Sequence, residues 1–347
     1  MQIAYYSYMS TLKKLGIYLL SVIYIFSLLS LAIVFSMNRT VADPVFVKQT
    51  FKEAELYSAI STEIKNQATD KTSESMSSGV NTIALNIAFN KVLTPSLVET
   101  NMNQIIDGTY EWLNGDTEIP QFSVDVAKVQ ADITDSLISS ATTRMAGLPA
   151  CSYAQLAVID VNNFDPFTVV CNPGVDSALL RQQYQELANS GDGLLGDSTD
   201  GELQFSAAKL TNEQGQNLFV QASPVATGYQ VSKYLPFVFL LLIVLSALGL
   251  YKLADIKNIA LKKLAIKLIV AGVTLTIVVV LTNFLIDKAA TSINLEQPAI
   301  QQPITRVVNI MGSGFNRSLI LFAGSYIVLG AIGIFWYRHN AHKKTLR

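Results

Sequence analysis

Apolar positions along this chain gather into four long runs: residues 15–35, Leu235–Leu250, Leu264–Ile286 and Leu319–Tyr337. Each is about the length a helix needs to cross ~30 Å of hydrocarbon. The first run is broken only by Gly16 and single serines. It is longer than the apolar core of a cleaved signal peptide, so it reads as an uncleaved signal anchor. Cleavage just after Ser36, where Val34 and Ser36 are small, is the alternative. The pattern predicts a membrane protein, mainly α. Four transmembrane helices carry a large α-rich (α+β) extracytoplasmic domain between the first and second.

Between the first two runs the pattern changes to helical spacing. Val47, Phe51, Ala54, Tyr57, Ile60 and Ile64 recur at three- and four-residue steps, one face of a helix. Asp43 before Pro44 caps it. Lys65–Gly79 is polar and rich in Ser and Thr, which predicts an exposed linker. A shorter helix is expected over Val80–Val92. Thr94-Pro95-Ser96 restarts a helix that Asn114-Gly115 ends. Phe122 and Ser123 open another, striped by Val126, Val129, Ile133, Leu137 and Ala141, which Gly147-Leu148-Pro149 stops. Long amphipathic helices of this kind bury their faces by packing as a bundle.

Residues 149–233 read as mixed. Leu156–Val161 and Phe167–Val170 have the β-branched character of strands. Asp176–Leu187 reads as a helix. Leu203–Leu210 and Asn217–Ala222 are expected to pair around Asn212-Glu213-Gln214-Gly215. The organisation is then 1–37, cytoplasmic end and anchor; 38–233, the outer domain (helical 44–148, mixed 149–233); and 234–347, a three-helix bundle with a tail. In the loop 287–316, Ile304, Val307, Val308 and Met311 predict a short helix lying on the outer interface.

Charge orients this arrangement. All the acids except Asp255, Asp287 and Glu296 lie in residues 38–234, where they outnumber the bases. Lys13 and Lys14 precede the first run. Lys252, Lys257, Lys262, Lys263 and Lys267 crowd the link between the second and third. Arg338, Lys343, Lys344 and Arg347 follow the fourth. The Lys/Arg excess marks the cytoplasmic side. Both termini are therefore expected in the cytoplasm, with residues 38–233 outside the plasma membrane. The acidic middle argues against nucleic acid as a partner, because a phosphate-binding surface needs clustered bases. The partners expected are the lipid bilayer and a protein.

Candidate chemistry is sparse. Cys151 and Cys171 are the only cysteines. On the outer side they are expected to form a disulfide. His339 and His342, the only histidines, sit in the basic tail and make a poor metal site. The outer domain has no histidine, which excludes a Ser-His-Asp or Cys-His hydrolase there. Asp192, Asp197, Asp200 and Glu202 cluster in a glycine-rich loop without EF-hand spacing and read as a solvated acidic loop rather than a calcium site. Asn38-Arg39-Thr40 and Asn316-Arg317-Ser318 match glycosylation acceptors but abut the membrane. Gly312-Ser313-Gly314 is too short to cradle phosphate. No cofactor and no catalytic set emerges, so no enzymatic activity is expected. The middles of the three C-terminal runs lack the ionisable residues that proton-coupled transport or charge-lined conduction uses. Thr274, Thr276 and Asn283 are the polar groups of the third run. Gly324, Ser325, Gly330 and Gly333 give the fourth small residues for close helix contact.

No motif identifies a family. The order of segments alone is similar to that of permeases of the cell-division and macrolide-exporter ABC type. These have one span, a large outer domain and three further spans, with both ends inside. The resemblance covers the order of segments and no specific residues; it implies that the link Tyr251–Lys263 can couple to an ATPase. Lys257, Lys262 and Lys263 are then the candidate docking residues. The alternative is a loop made basic by insertion and lying against anionic lipid, which the sequence favours because Leu253, Ile256, Ile259 and Leu261 are spread around the helix rather than gathered in one stripe. The sequence favours an envelope protein whose outer domain serves interaction or structural scaffolding. A permease-like mechanical relay is the alternative. The orientation has a direct check. A cysteine placed at Ser73 in a chain lacking Cys151 and Cys171 should react with an impermeant maleimide in intact cells. Labelling only after permeabilisation would reverse the topology.

Overall fold

The computed structural model describes residues 2–75, 82–160, 165–189, 204–254, 257–293, 295 and 297–345. Helix α1 (Gln2–Asn38) includes a stretch, Lys13–Asn38, long and apolar enough to cross a membrane. Polar groups close its end. Thr40 Oγ1 donates to the Ser36 carbonyl at 2.8 Å, and the Arg39 guanidinium lies 5.0 Å from the Phe35 ring centre. Residues 39–222, called the head below, follow.

Helix α2 (Pro44–Glu53) begins as the Asp-Pro pair dictates, with Asp43 Oδ1 accepting from the Val45 N–H at 2.9 Å. The single helix expected across residues 44–64 is broken. Ala54 caps α2, Glu55 turns left-handed at φ 59°, and α3 (Leu56–Ser75) starts anew. The polar stretch after Lys65, expected as a linker, is helical as far as Ser75. Polar residues suit an exposed helix when they pair at i,i+4, as Gln67 does with Glu63 at 2.8 Å. Helices α4 (Thr82–Val92) and α5 (Pro95–Asn114) fall where spacing placed them. Thr94 Oγ1 accepts from the Leu97 N–H at 3.2 Å, and Gly115 ends α5 at φ 84°.

The next helix starts later than its apolar stripe suggests. Ser123–Asp125 form strand β1, and α6 (Val126–Ala146) begins after Asp125, whose carboxylate accepts from the Lys128 N–H at 2.9 Å. The strand expected at Leu156–Val161 does not form over its described residues: Leu156 ends a single helical turn, α7 (Tyr153–Leu156), set by a capping box between Ser152 and Gln155, and residues 157–160 continue as a turn and irregular backbone. Residues 161–164 lie outside the described set. Phe167–Val170 make a turn rather than a strand. Helix α8 (Ser177–Asn189) follows. Strand β2 (Gln204–Ser206) pairs antiparallel with β1, Val124 facing Phe205, and not with residues 217–222. A remnant of the expected hairpin survives as one bridge, Thr211 to Asn217, closed by Asn212 Oδ1 accepting from the Gln214 and Gln216 N–H groups. A 3₁₀ turn (Ala207–Lys209) and helix α9 (Leu218–Gln221) complete the head.

Two apolar centres hold the head. Phe89 and Leu85 of α4, Ile133 and Leu137 of α6 and Leu180 of α8 are fully buried together. An aromatic group joins α5 to the small sheet: Trp112 meets Phe219 at 5.3 Å, and Phe122 stacks on Phe205 at 6.0 Å. Gly108 permits this approach, since a Cβ there would lie 2.6 Å from the Gln121 carbonyl oxygen.

Three further helices are long and apolar enough to cross a membrane: α10 (Ser223–Leu253), α11 (Lys257–Ser292) and α12 (Pro298–Thr345). Together with α1 they give the chain the architecture of a multi-pass membrane protein. Tyr24, Leu28, Leu275, Leu319 and Tyr326 form part of their common core. The expected interface helix before Phe315 does not form. Its residues belong to α12, whose 48 residues reach ~72 Å at 1.5 Å per residue, far more than a bilayer core requires.

The surplus length ties bundle to head. At Gly314 a Cβ would fall 2.6 Å from the Phe46 ring of α2, and Arg306 Nη1 meets Glu55 Oε2 at 2.6 Å. On the other flank, the first turns of α10 lie on α5. Tyr229 Oη donates to the Ala42 carbonyl at 2.8 Å, Tyr110 Oη donates to the Val41 carbonyl, and their rings stand 6.1 Å apart. Lys233 donates to Asn114 Oδ1 beside them.

Burial, then Tyr229 and Asp43, pushes the Tyr110 phenol up to about 12. The unfolded value is about 10. The folded state therefore holds this proton more tightly. The stability it contributes is complete below about pH 10 and is lost as pH rises through about 12. Melting curves of Tyr110→Phe should show a shallower alkaline decline across that window. An undiminished slope would remove Tyr110 from the junction's energetics.

Candidate functional site: a groove beside a disulfide-closed loop

The head carries a groove of about 520 Å³ between α4, α6 and the loop closed by the cysteines. Helical spacing explains its α4 wall. Leu85 and Phe89 turn into the core, while Ile83, Ile87 and Lys91 lie at four-residue steps on the adjoining face. Ile83 is 67% exposed and Ile87 49%. The α6 wall carries hydroxyls, those of Ser140 and Thr143 donating back to the Ser136 and Ser139 carbonyls at 2.8 and 2.7 Å. Arg144 Nε donates to the Pro166 carbonyl at 3.3 Å, and Phe167 closes the third side. A shallower hollow on the far side of Lys91 is lined by Asp132 and Asp135, the latter bridged to Arg181 at 2.5 Å.

Cys151 and Cys171 sit at disulfide distance, 1.99 Å between sulfurs, so the expected pair is together. Backbone bonds fix the base of this loop: Cys151 N–H to the Asn172 carbonyl at 3.1 Å and Asn172 N–H to that of Pro149 at 2.8 Å. Cys171 is buried. Burial and the nearby Asp165 raise the Tyr184 phenol, which keeps it neutral beneath the loop. The outer part of the loop turns apolar groups outward. Tyr153 is 94% exposed, Val158 83% and Val170 73%. These residues lie in the same disulfide-closed loop that gives the groove Phe167.

The other sequence candidates separate. Lys262 Nζ lies 5.4 Å from the Tyr337 ring centre. Lys263 faces a pocket at the end of the bundle remote from the head. Lys257 opens α11, and its side chain lies outside the described set, as does that of His342; His339 is exposed. The acidic residues 192–202 are also outside it. Among the described residues no three metal-ligating side chains come together. Asn316 is buried, donating to Asn283 Oδ1 and accepting from Thr282 Oγ1, each at 2.6 Å. Gly312 and Gly314 lie within α12 and serve close packing.

Sequence reasoning missed the groove. Ile83 and Ile87 were absorbed into a generic amphipathic helix, and nothing local pairs α4 with Arg144. A signal was present nonetheless: α4 carries apolar residues around more of its circumference than one core face needs. Compared with protein-family models, curated proteins and solved structures, the chain matches none.

Replacing both cysteines by serine should lower stability by ~3 kcal/mol, the chain-entropy cost of reopening a loop of this length. Limited proteolysis should then cut between residues 152 and 170 while the bundle stays protected. A melting temperature equal to that of the unaltered protein would show that the loop is held without the bond.

Proposed function

We propose that this chain is an integral membrane protein of the cell envelope whose head serves interaction or structural scaffolding. In this reading both termini are cytoplasmic, α1 is the signal anchor, and the head stands outside the plasma membrane. No catalysis is assigned. The observation that carries the reading is the apolar groove and the exposed loop beside it. Ile83, Ile87 and Phe167 offer a floor, and Lys91 and Arg144 stand at its edge. That chemistry suits an amphipathic protein segment with an apolar face and acidic neighbours. An oxidising exterior suits the cysteine pair, and the basic ends of the spans suit a cytoplasmic far side.

A second reading, a relay passing force from a cytoplasmic ATPase, draws support from one feature. Helices α10 and α12 run unbroken from bundle to head. The two readings share the orientation and differ in what meets the far end.

A photocrosslinking residue at Ile87, used in intact membranes, should give a discrete protein adduct. A second substitution, Phe167→Asp, should weaken it about tenfold, the loss expected of a central apolar anchor. Adduct formation no greater than from a lipid-facing position such as Leu329 would sink the interaction reading. Recovery of a nucleotide-hydrolysing subunit, lost on charge reversal at Lys257 and Lys262, would favour the relay.

A further inference from the structure

A pocket of about 210 Å³ opens between α1, α10 and α11 at the end of the bundle remote from the head. Its walls are apolar, with Ile17 from α1, Leu250 from α10 and Ile259 and Leu264 from α11. Two cations enter it, Lys263 and Lys267. They stand at i and i+4 of one helix, where like charges repel. Lys267 lies inside the apolar run of α11 and donates to Ser21 Oγ of α1, whose hydroxyl in turn donates to the Ile17 carbonyl at 2.6 Å. That bond uses one of the ammonium's three N–H donors. Among the described residues no carboxylate pairs with either lysine. Two cations one turn apart, beside an apolar wall and with no carboxylate partner among the described residues, form an arrangement that an anion would complete. An anion between them would relieve the repulsion and take up the spare donors.

We propose that this pocket binds the phosphate of an anionic membrane lipid, with the first part of an acyl chain against Ile17, Leu250 and Leu264. The shared chemistry is a phosphate oxyanion, which a soluble phosphate also offers. The apolar wall decides between them, because only a lipid places hydrocarbon beside its phosphate. The position agrees, since Lys13 and Lys14 stand at the same end of α1, just before its apolar run. The proposal is independent of what the head binds.

The full-length protein, reconstituted in nanodiscs of equal phosphatidylglycerol and phosphatidylcholine, provides the test. Native mass spectrometry should find phosphatidylglycerol retained in preference to phosphatidylcholine. Lys263→Gln, which removes no hydrogen bond among the described residues, should weaken that preference about fivefold, and the Lys263→Gln/Lys267→Gln pair by about the square of that, at the energy of a basic residue near an anionic surface. Lys14→Gln/Lys252→Gln, at the same end but outside the pocket, should leave it nearly unchanged. Equal retention of the two lipids overturns the proposal, as does a preference that survives the double change. A third result would also overturn it: inorganic phosphate displacing the lipid at millimolar concentration would assign the pocket to a soluble anion.

Discussion

Helices in hydrocarbon gain nothing from the hydrophobic effect when they meet, because lipid tails are as apolar as leucine. Contact must come from close packing and from hydrogen bonds, and the pair α11–α12 uses both. A Cβ on Gly330 would lie 2.5 Å from Ile269 Cγ1 and 2.7 Å from the Ala265 carbonyl oxygen. A Cβ on Gly272 would lie 2.8 Å from the Ala323 carbonyl oxygen. Further along the pair, Thr282, Asn283 and Asn316 close a short polar chain. Tyr326 then joins the pair to α1, its hydroxyl donating to the Leu28 carbonyl at 3.1 Å. These contacts set the axis of α12, and the stem that carries the head is a continuation of that axis.

The head inherits its position from two such continuations. On one side Gly314 lets the stem of α12 lie against Phe46, and the break at Glu55 lets its carboxylate meet Arg306. The ion pair is half exposed and contributes little by itself. Its value is geometric, since a straight helix through residues 44–64 would carry α3 elsewhere. On the other side Tyr110 and Tyr229 bind the segment just after α1 by its backbone carbonyls. The head is thus held by α1, α10 and α12 together, and a load on it reaches the bundle through more than one helix.

Much of this was legible along the chain, for identifiable reasons. A span is legible because composition over ~20 residues decides it. Helix α5 was legible because Thr94, Pro95 and Gly115 are local signals whose physics needs no partner. The failures fall where the deciding atom is distant. Phe122 and Ser123 looked helical until β2, some eighty residues on, paired with β1. Leu156–Val161 had strand composition, but Ser152 and Gln155 formed a capping box that commits the start of the segment to a helical turn. Residues 304–311 looked like an interface helix because their apolar edge was taken to face lipid; α2 and α3 occupy that place instead. The cysteine pair was legible because the chain has only two cysteines to join. The groove was not, because its walls come from α4, α6 and a loop whose juxtaposition only the packed core creates.

The disulfide and the stems bear on one question, how a membrane protein would hold the proposed binding surface in place. An exposed apolar loop loses conformational entropy on binding unless it is ordered beforehand. Here the loop is closed at its base by Cys151 and Cys171, and by backbone bonds between Pro149, Cys151 and Asn172. Beneath it, Leu137, Ile138, Ala141 and Leu180 provide a packed floor. Packing therefore continues from Ile159, Phe167 and Val169 of the loop through α6 to the head core, and from the head through the stems into the bundle. Preorganisation of this kind lowers the cost of association without adding a contact. It also explains why interaction and relay readings use the same features. A surface held rigidly to the membrane serves a scaffold, and the same rigidity is what a relay needs to transmit displacement. What separates them is whether the far end, with Lys257, Lys262 and Lys263, meets a moving protein or only lipid. A lipid phosphate between Lys263 and Lys267 would occupy part of that end and favour the static role.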